Sequence, residues 1–135
     1  MRAVIDTNVL VSALLDSSSP PALTLETVLK GKEWQMLLSP DLLAEYEEVL
    51  GRSKFSKMFD EKNVRLFLTA IALESVFLVP FSIVTDCEDA DDNMLLVLAI
   101  DGLADCIVSG DNHLLKLHPF RSVPIISPAD FLKTL

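Results

Sequence analysis

Three aspartates stand where apolar runs begin or end. Asp6 closes Ala3-Val4-Ile5, Asp111 lies just beyond Cys106-Ile107-Val108, and Asp92 precedes Met94–Ile100, with Asp89 and Asp91 just before it. Five of the seven residues from Asp86 to Asp92 are acidic. Carboxylates gathered at one end of a sheet repel one another, and a divalent cation offsets that repulsion. Hard oxygen donors suit Mg²⁺ or Mn²⁺. Taken singly, an Asp after a strand is equally a helix N-cap. For Asp86, Glu88 and Asp91 a solvated loop is the simpler reading. What lifts Asp6, Asp92 and Asp111 above that reading is that three separate segments would converge on one edge.

The elements that must position them follow from the apolar pattern. Ala3–Ile5, Gln35–Leu38, Val76–Val79, Cys106–Val108 and Val123–Ile126 read as short buried strands. Between them, helical spacing runs over Val9–Leu15, Ala22–Lys30, Pro40–Leu50, Val64–Glu74, Met94–Ile100 and Ala129–Leu135. Ser17-Ser18-Ser19-Pro20-Pro21 is a loop, Asp86–Asp92 another, and Pro40 suits the first turn of a helix that Gly51 closes. Strands alternating with helices predict an α/β fold, a three-layer α/β/α sandwich around a parallel sheet of about five strands. Such doubly wound folds bind ligands beyond the carboxyl ends of the strands, where the strand order reverses.

The composition bounds the function. A chain of 135 residues, half of them hydrophobic and 23% charged, reads as one domain spanning 1–135, with no repeat and no linker. Eleven Lys and Arg against twenty Asp and Glu leave a net charge of −9. That argues against non-specific nucleic-acid binding through a broad basic face. Cys87 and Cys106 have no metal-ligand spacing and read as two buried or half-buried thiols. No targeting segment and no membrane span is evident, so the expected setting is cytoplasmic, away from membranes.

Taken together, the motifs resemble those of PIN-domain nucleases. Asp6-Thr7-Asn8-Val9-Leu10-Val11-Ser12-Ala13 is similar to the family's opening motif. Asp89-Ala90-Asp91-Asp92-Asn93, followed by Leu95-Leu96-Val97-Leu98-Ala99, resembles its third acidic motif, and Ile107-Val108-Ser109-Gly110-Asp111 its last. The family's second acid is a Glu on a mid-chain helix, here Glu45. The helical wheel by itself does not choose it. Leu42, Leu43, Tyr46, Val49 and Leu50 form one apolar arc, and Glu45 and Glu47 flank its two edges equally. Only the resemblance prefers Glu45.

The resemblance implies metal-dependent hydrolysis of phosphodiester bonds, most often in RNA. Asp6, Glu45, Asp92 and Asp111 would be the catalytic acids. With Asp89 added as a possible ligand, they would hold Mg²⁺ or Mn²⁺, which acidifies a water and neutralises phosphate charge. The metal also reconciles an acidic chain with a polyanionic substrate. Thr7, Asn8 and Ser109 are candidates for supporting or phosphate hydrogen bonds, although Thr7 and Asn8 equally suit helix-start capping. Five basic residues lie between Arg52 and Arg65, and Arg52, Lys54 and Lys57 are the candidates for gripping an RNA backbone. A solvated helix face explains that stretch equally well.

His113 and His118 read as ordinary surface or loop residues, and Trp34, Tyr46 and the seven Phe as core rather than a base-stacking platform. A phosphatase attacking through an Asp after the first strand usually needs a second acid two residues on, where this chain has Asn8. A non-catalytic RNA- or partner-binding module would keep the same pocket. Short members of the family resemble the VapC-type toxins of toxin–antitoxin pairs, which implies a small antitoxin partner and a homodimer. Stand-alone RNA-processing nucleases would look the same.

Overall fold

Ala3, Val4 and Ile5 are wholly buried in β1 (Arg2–Ile5), the middle strand of a five-stranded sheet. The computed structural model describes residues 1–135. The remaining elements, in chain order, are α1 (Thr7–Leu15), α2 (Pro20–Lys30), β2 (Gln35–Leu38), α3 (Pro40–Leu50) and α4 (Glu61–Glu74). They continue with β3 (Val76–Phe77), α5 (Ala90–Asp101), β4 (Cys106–Val108), α6 (Asn112–Leu115), β5 (Ile125–Ile126) and α7 (Pro128–Lys133). A short 3₁₀ turn, Ser53–Phe55, leads from α3 towards α4.

The strand order is β3-β2-β1-β4-β5, and every pairing is parallel. Register is set by Ala3 opposite both Met36 and Cys106, with Ile5 opposite Val108. The chain moves outwards one way through β2 and β3, then jumps back past β1 to β4. Right-handed crossovers therefore put α1 to α4 on one face and α5 on the other. This is the expected three-layer sandwich. The order reverses between β1 and β4, so the predicted binding edge lies where Asp6 and Ser109 leave those two strands.

Three helices start with one device, a Ser N-cap followed by Pro in the first turn. Ser19 accepts from Ala22 N, Ser39 from Leu42 N and Ser127 from Asp130 N, where the chain runs into α2, α3 and α7. Gly102 closes α5 against β2. A Cβ there would stand 2.7 Å from Leu37 Cδ1 and 2.8 Å from Leu98 O, a close approach that only glycine permits.

Several boundaries differ from the sequence reading. Helices α1 and α4 begin at Thr7 and Glu61, because polar first turns carry no apolar periodicity, and α2 begins at Pro20, where the Ser19 cap and the fixed φ of proline suit a first turn that reads as loop. Ala90, Asp91 and Asp92 belong to α5 rather than to a loop, since Asp89 accepts from Asp91 N and starts the helix there. Strand β3 stops at Phe77 instead of Val79, β5 pairs only over Ile125–Ile126, and α6 was not anticipated. The expectation that every Phe is core fails for Phe77, 47% exposed, and Phe81, 81% exposed. These two lie on the sheet edge and the segment after it, where no neighbouring element covers them. Trp34, Tyr46, Phe55, Phe120 and Phe131 are buried, and Phe59 and Phe67 are half-buried against the core.

Candidate active site

Asp6 leaves β1 at the carboxyl edge of the sheet, with its backbone N–H donating to Val108 O. Its side chain is 8% exposed. Ser109 donates its hydroxyl hydrogen to Asp6 Oδ2 at 2.6 Å, and Asn8 Nδ2 donates to the same oxygen at 3.0 Å. Ser109 Oγ also accepts from Asp111 N at 3.0 Å, while Asn8 Oδ1 accepts from Gly110 N at 3.2 Å. Asp6 and the strand β4 exit are thus tied together through Ser109 and Asn8. Asp111 caps α6 by accepting from His113 N.

Helix α3 supplies the next acid. Tyr46 is fully buried and donates its phenolic hydrogen to Ile5 O at 2.5 Å, which fastens α3 beside the end of β1. That rotation leaves Glu45 half-buried over the sheet edge, where it accepts from the Thr7 hydroxyl, and turns Glu47 outwards. Of the two acids that flank the apolar arc, Glu45 is the one that lines the cleft described below.

The first turn of α5 supplies Asp91 and Asp92, with Asp89 at its N-cap. Asn93 holds the preceding turn in shape: its Oδ1 accepts from Cys87 N and its Nδ2 donates to Cys87 O, at 2.9 and 2.8 Å. Arg121 pairs with Asp86 at 3.2 Å and ties the same loop to the segment before β5.

These side chains line one open cleft of about 410 Å³, whose floor holds Asp6, Glu45, Asp89, Asp91, Asp92 and Asp111. Its charge is unfavourable to itself. Burial, with the neighbouring charge of Asp111, pushes Asp6 above the usual carboxylate range, although Ser109, the Thr7 N–H and Asn8 pull against it. Burial raises Glu45 as well, opposed by Thr7 and reinforced by Asp91 and Asp6. Asp92 is pushed up to about 6 by burial and then by the charges of Asp89, Asp111, Asp6 and Asp91. On the rim, Arg52 pairs with Glu48 at 2.9 Å, and Lys54 lies over the Phe55 ring at 5.0 Å.

Comparison with known families places residues 2–113 in a PIN domain. The chain belongs to the PIN-domain family. It is 31% identical over 118 residues to the uncharacterized protein MJ1680 of Methanocaldococcus jannaschii, covering 87% of this chain and 75% of that protein. Its fold is similar to the crystal structure of VapBC2 from Rickettsia felis bound to a DNA fragment from their promoter. That match has a TM-score of 0.63 and 14% identity, and covers 94% of this chain and 98% of the other. PIN-domain nucleases are hydrolases that act on nucleic acids, and the family generally uses divalent metal ions.

The residues of this PIN domain fit such an ion in charge and in donor chemistry. Six carboxylates share the cleft, three are raised by burial and by their acidic neighbours, and the two cations sit at its rim. As the side chains stand, no three acids converge to coordinating distance. The inward oxygens of Asp6 and Glu45 are occupied by the Ser109, Asn8 and Thr7 hydrogen bonds instead.

The cleft brings together Asp6, Thr7, Asn8, Glu45, Asp89, Asp92 and Asp111, with Ser109 buried just behind Asp6. Arg52 and Lys54 line it, and Lys57 does not. Asp91 was set aside in the sequence as loop but faces Glu45 closely enough to raise it. The signal that could have found it is the helix start at Asp89, which turns Asp91 and Asp92 into neighbours on one helical turn. His113 lines an adjoining hollow with Asp86 and Glu88, which shares Asp89, Asp92 and Asp111 with the cleft. His118 accepts from Ile125 N at 2.9 Å, a structural role that holds β5 in place.

Proposed function

We propose that this PIN domain is a metal-dependent endoribonuclease whose catalytic acids are Asp6, Glu45, Asp92 and Asp111. The observation that carries the reading is their meeting, from four separate segments, in one cleft where burial first, and then acidic neighbours, raise Asp6, Glu45 and Asp92. A site that disfavours its own charges favours a bound cation. Asp6, Asp92 and Asp111, with Glu45 and Asp89, would hold Mg²⁺ or Mn²⁺. When bound, that ion supplies an acidified water and charge neutralisation at the scissile phosphate.

The chain's own groups do the rest. Ser109 and Asn8 fix the orientation of the Asp6 carboxylate, and Thr7 fixes that of Glu45. Orienting partners of this kind fix the direction of a ligand and tune the metal's affinity. Arg52 and Lys54 on the rim would draw the phosphate backbone over the cleft, and the RNA would run along the Lys54–Phe55 side. Lys57, outside the cleft, would at most add long-range attraction.

The same reading makes the protein a cytoplasmic toxin of a toxin–antitoxin pair, with a small antitoxin partner and a homodimeric state. Its support is the likeness in fold to VapBC2, and no helix here is long and apolar enough to cross a membrane. The test is cleavage of a mixed-sequence single-stranded RNA by purified protein with Mg²⁺ or Mn²⁺, with EDTA, and with Asp6→Asn in parallel. Cutting that requires metal and vanishes in the variant is the expected result. A variant that cuts as fast as the parent overturns the site assignment.

A further inference from the structure

Three of the protein's four ion pairs join residues three or four positions apart. The fourth, Arg121 Nη2 to Asp86 Oδ1 at 3.2 Å, bridges 35 positions and reaches the acidic loop before α5. Arg121 also lies beyond residues 2–113, the span that matches the family. The turn that carries it is strained. Phe120 N donates to Val123 O at 2.9 Å and Val123 N to Phe120 O at 2.8 Å, which leaves Arg121 and Ser122 as a two-residue turn between them. Both have positive φ, 47° and 72°. That sign pattern is the one of a type I′ turn, where Asn and Gly sit at low cost and other side chains do not. Phe120 and Val123 are buried, and Ile125 pairs with Ile107 on β4, so the turn is fixed to the sheet. The guanidinium lies 4.9 Å over the Phe120 ring, which orders it before it meets Asp86.

We infer that Arg121 is a positioning residue of the metal site: it latches the loop Asp86–Asp89 to the sheet and so holds Asp89 and Asp92 against Asp111. The inference rests on the proposed nuclease and adds a residue to it. All other hydrogen bonds to residues 86–89 come from Asp91 and Asn93, on α5 itself. Those contacts travel with the helix. The Arg121 contact comes instead from the connection between β4 and β5, and Asp111 follows β4. Asp89, Asp92 and Asp111 line one hollow, where without a cation their charges push the start of α5 away from the end of β4. The latch opposes that opening and keeps the acids at the spacing an ion needs. An ion pair as exposed as this one adds little to stability. Its effect lies in where it holds the loop, and the strained turn is what aims the arginine there.

The test is isothermal titration of the full chain with Mn²⁺, together with its melting temperature, for Arg121→Gly, Arg121→Lys, Asp86→Ala, the double variant and the control Ser122→Gly. Arg121→Gly and Asp86→Ala should each weaken Mn²⁺ binding by about ten-fold, and the double variant no more than either alone. Arg121→Lys should restore most of the loss. Glycine relieves the strain, so Arg121→Gly should melt no lower than the parent, and Ser122→Gly should melt higher with parent affinity. In metal-free protein, ¹⁵N relaxation should show residues 86–89 rigid in the parent and mobile in Arg121→Gly. Parent affinity in Arg121→Gly, additive losses in the double variant, or a loop that stays rigid overturns the latch. A loss of affinity that merely follows a fall in melting temperature overturns it too. A parent that binds no Mn²⁺ defeats the nuclease reading instead, and the relaxation data then decide the latch alone.

Discussion

The Ser109 hydroxyl donates to Asp6 Oδ2 at 2.6 Å while its oxygen accepts from Asp111 N at 3.0 Å, so one buried residue sets two acids of the cleft at once. Asp6 and Asp111 come from the ends of different strands, and nothing else buried links them directly. The hydroxyl also holds Asp6 below where burial alone would push it. Ser109→Ala should therefore raise the Asp6 pKa further and loosen Asp111. Removing such a partner typically costs 10–100-fold in metal affinity. Isothermal titration with Mn²⁺ should show a loss of that size for Ser109→Ala and near-parent affinity for Ser109→Thr. Equal affinities in all three proteins would show that Ser109 does not position the site.

The raised carboxylates also make a statement about stability and pH. Asp92 has a usual value of 3.8 and a folded value of about 6, so the folded chain binds its proton more tightly than the unfolded chain does. The stability it contributes is fully present below the unfolded value and is lost as pH rises through the folded one. Asp6 and Glu45 shift in the same direction. Metal-free protein should therefore lose melting temperature between about pH 4 and pH 6.5, and Asp92→Asn should lose less over that span. Added Mg²⁺ or Mn²⁺ should restore the parent at neutral pH by binding only the folded state. If parent and Asp92→Asn fall in parallel, Asp92 is not the strained group.

Most of the sheet was legible because its strands are short apolar runs bounded by Pro, Gly or Asp, and such runs have little alternative to burial. Asp6, Asp92 and Asp111 were legible for the same reason, as acids abutting those runs. Glu45 was not fixed by pattern, since it and Glu47 flank the apolar arc alike. The tie-breaker is a tertiary contact, the Tyr46 hydroxyl on Ile5 O. Asp91 was missed because helix starts are polar and look like loop until the N-cap is known. Exposed Phe77 and Phe81 read as core because composition alone does not tell a covered edge strand from an open one.

Rim cations and outer cations should separate in binding. Lys54 lines the cleft over Phe55, whereas Lys57 lies outside it. With the cleavage-dead Asp6→Asn background, Lys54→Ala should weaken single-stranded RNA binding and lower the log–log salt slope by about 0.7, one phosphate contact. Lys57→Ala should leave the slope at the parent value. Arg52 is already engaged by Glu48 at 2.9 Å, so Arg52→Ala should fall between the two. Identical slopes for Lys54→Ala and Lys57→Ala would remove the cleft from the RNA path.

Tyr46 carries the last prediction. It is fully buried, and its hydroxyl is the contact that holds α3 against the end of β1, one residue from both Glu45 and Asp6. Tyr46→Phe keeps the ring and its packing but removes the donor to a buried carbonyl. Loss of a buried hydrogen bond with the partner left behind costs about 1–2 kcal/mol. Urea unfolding should show that loss with the m-value unchanged, because the surface exposed on unfolding is the same. Cleavage should fall as well, since α3 would rock and Glu45 would lose its alignment with Asp6. A variant as stable and as fast as the parent would mean that packing of Leu42, Tyr46 and Leu50 alone sets α3, with the hydroxyl contributing nothing to where Glu45 sits.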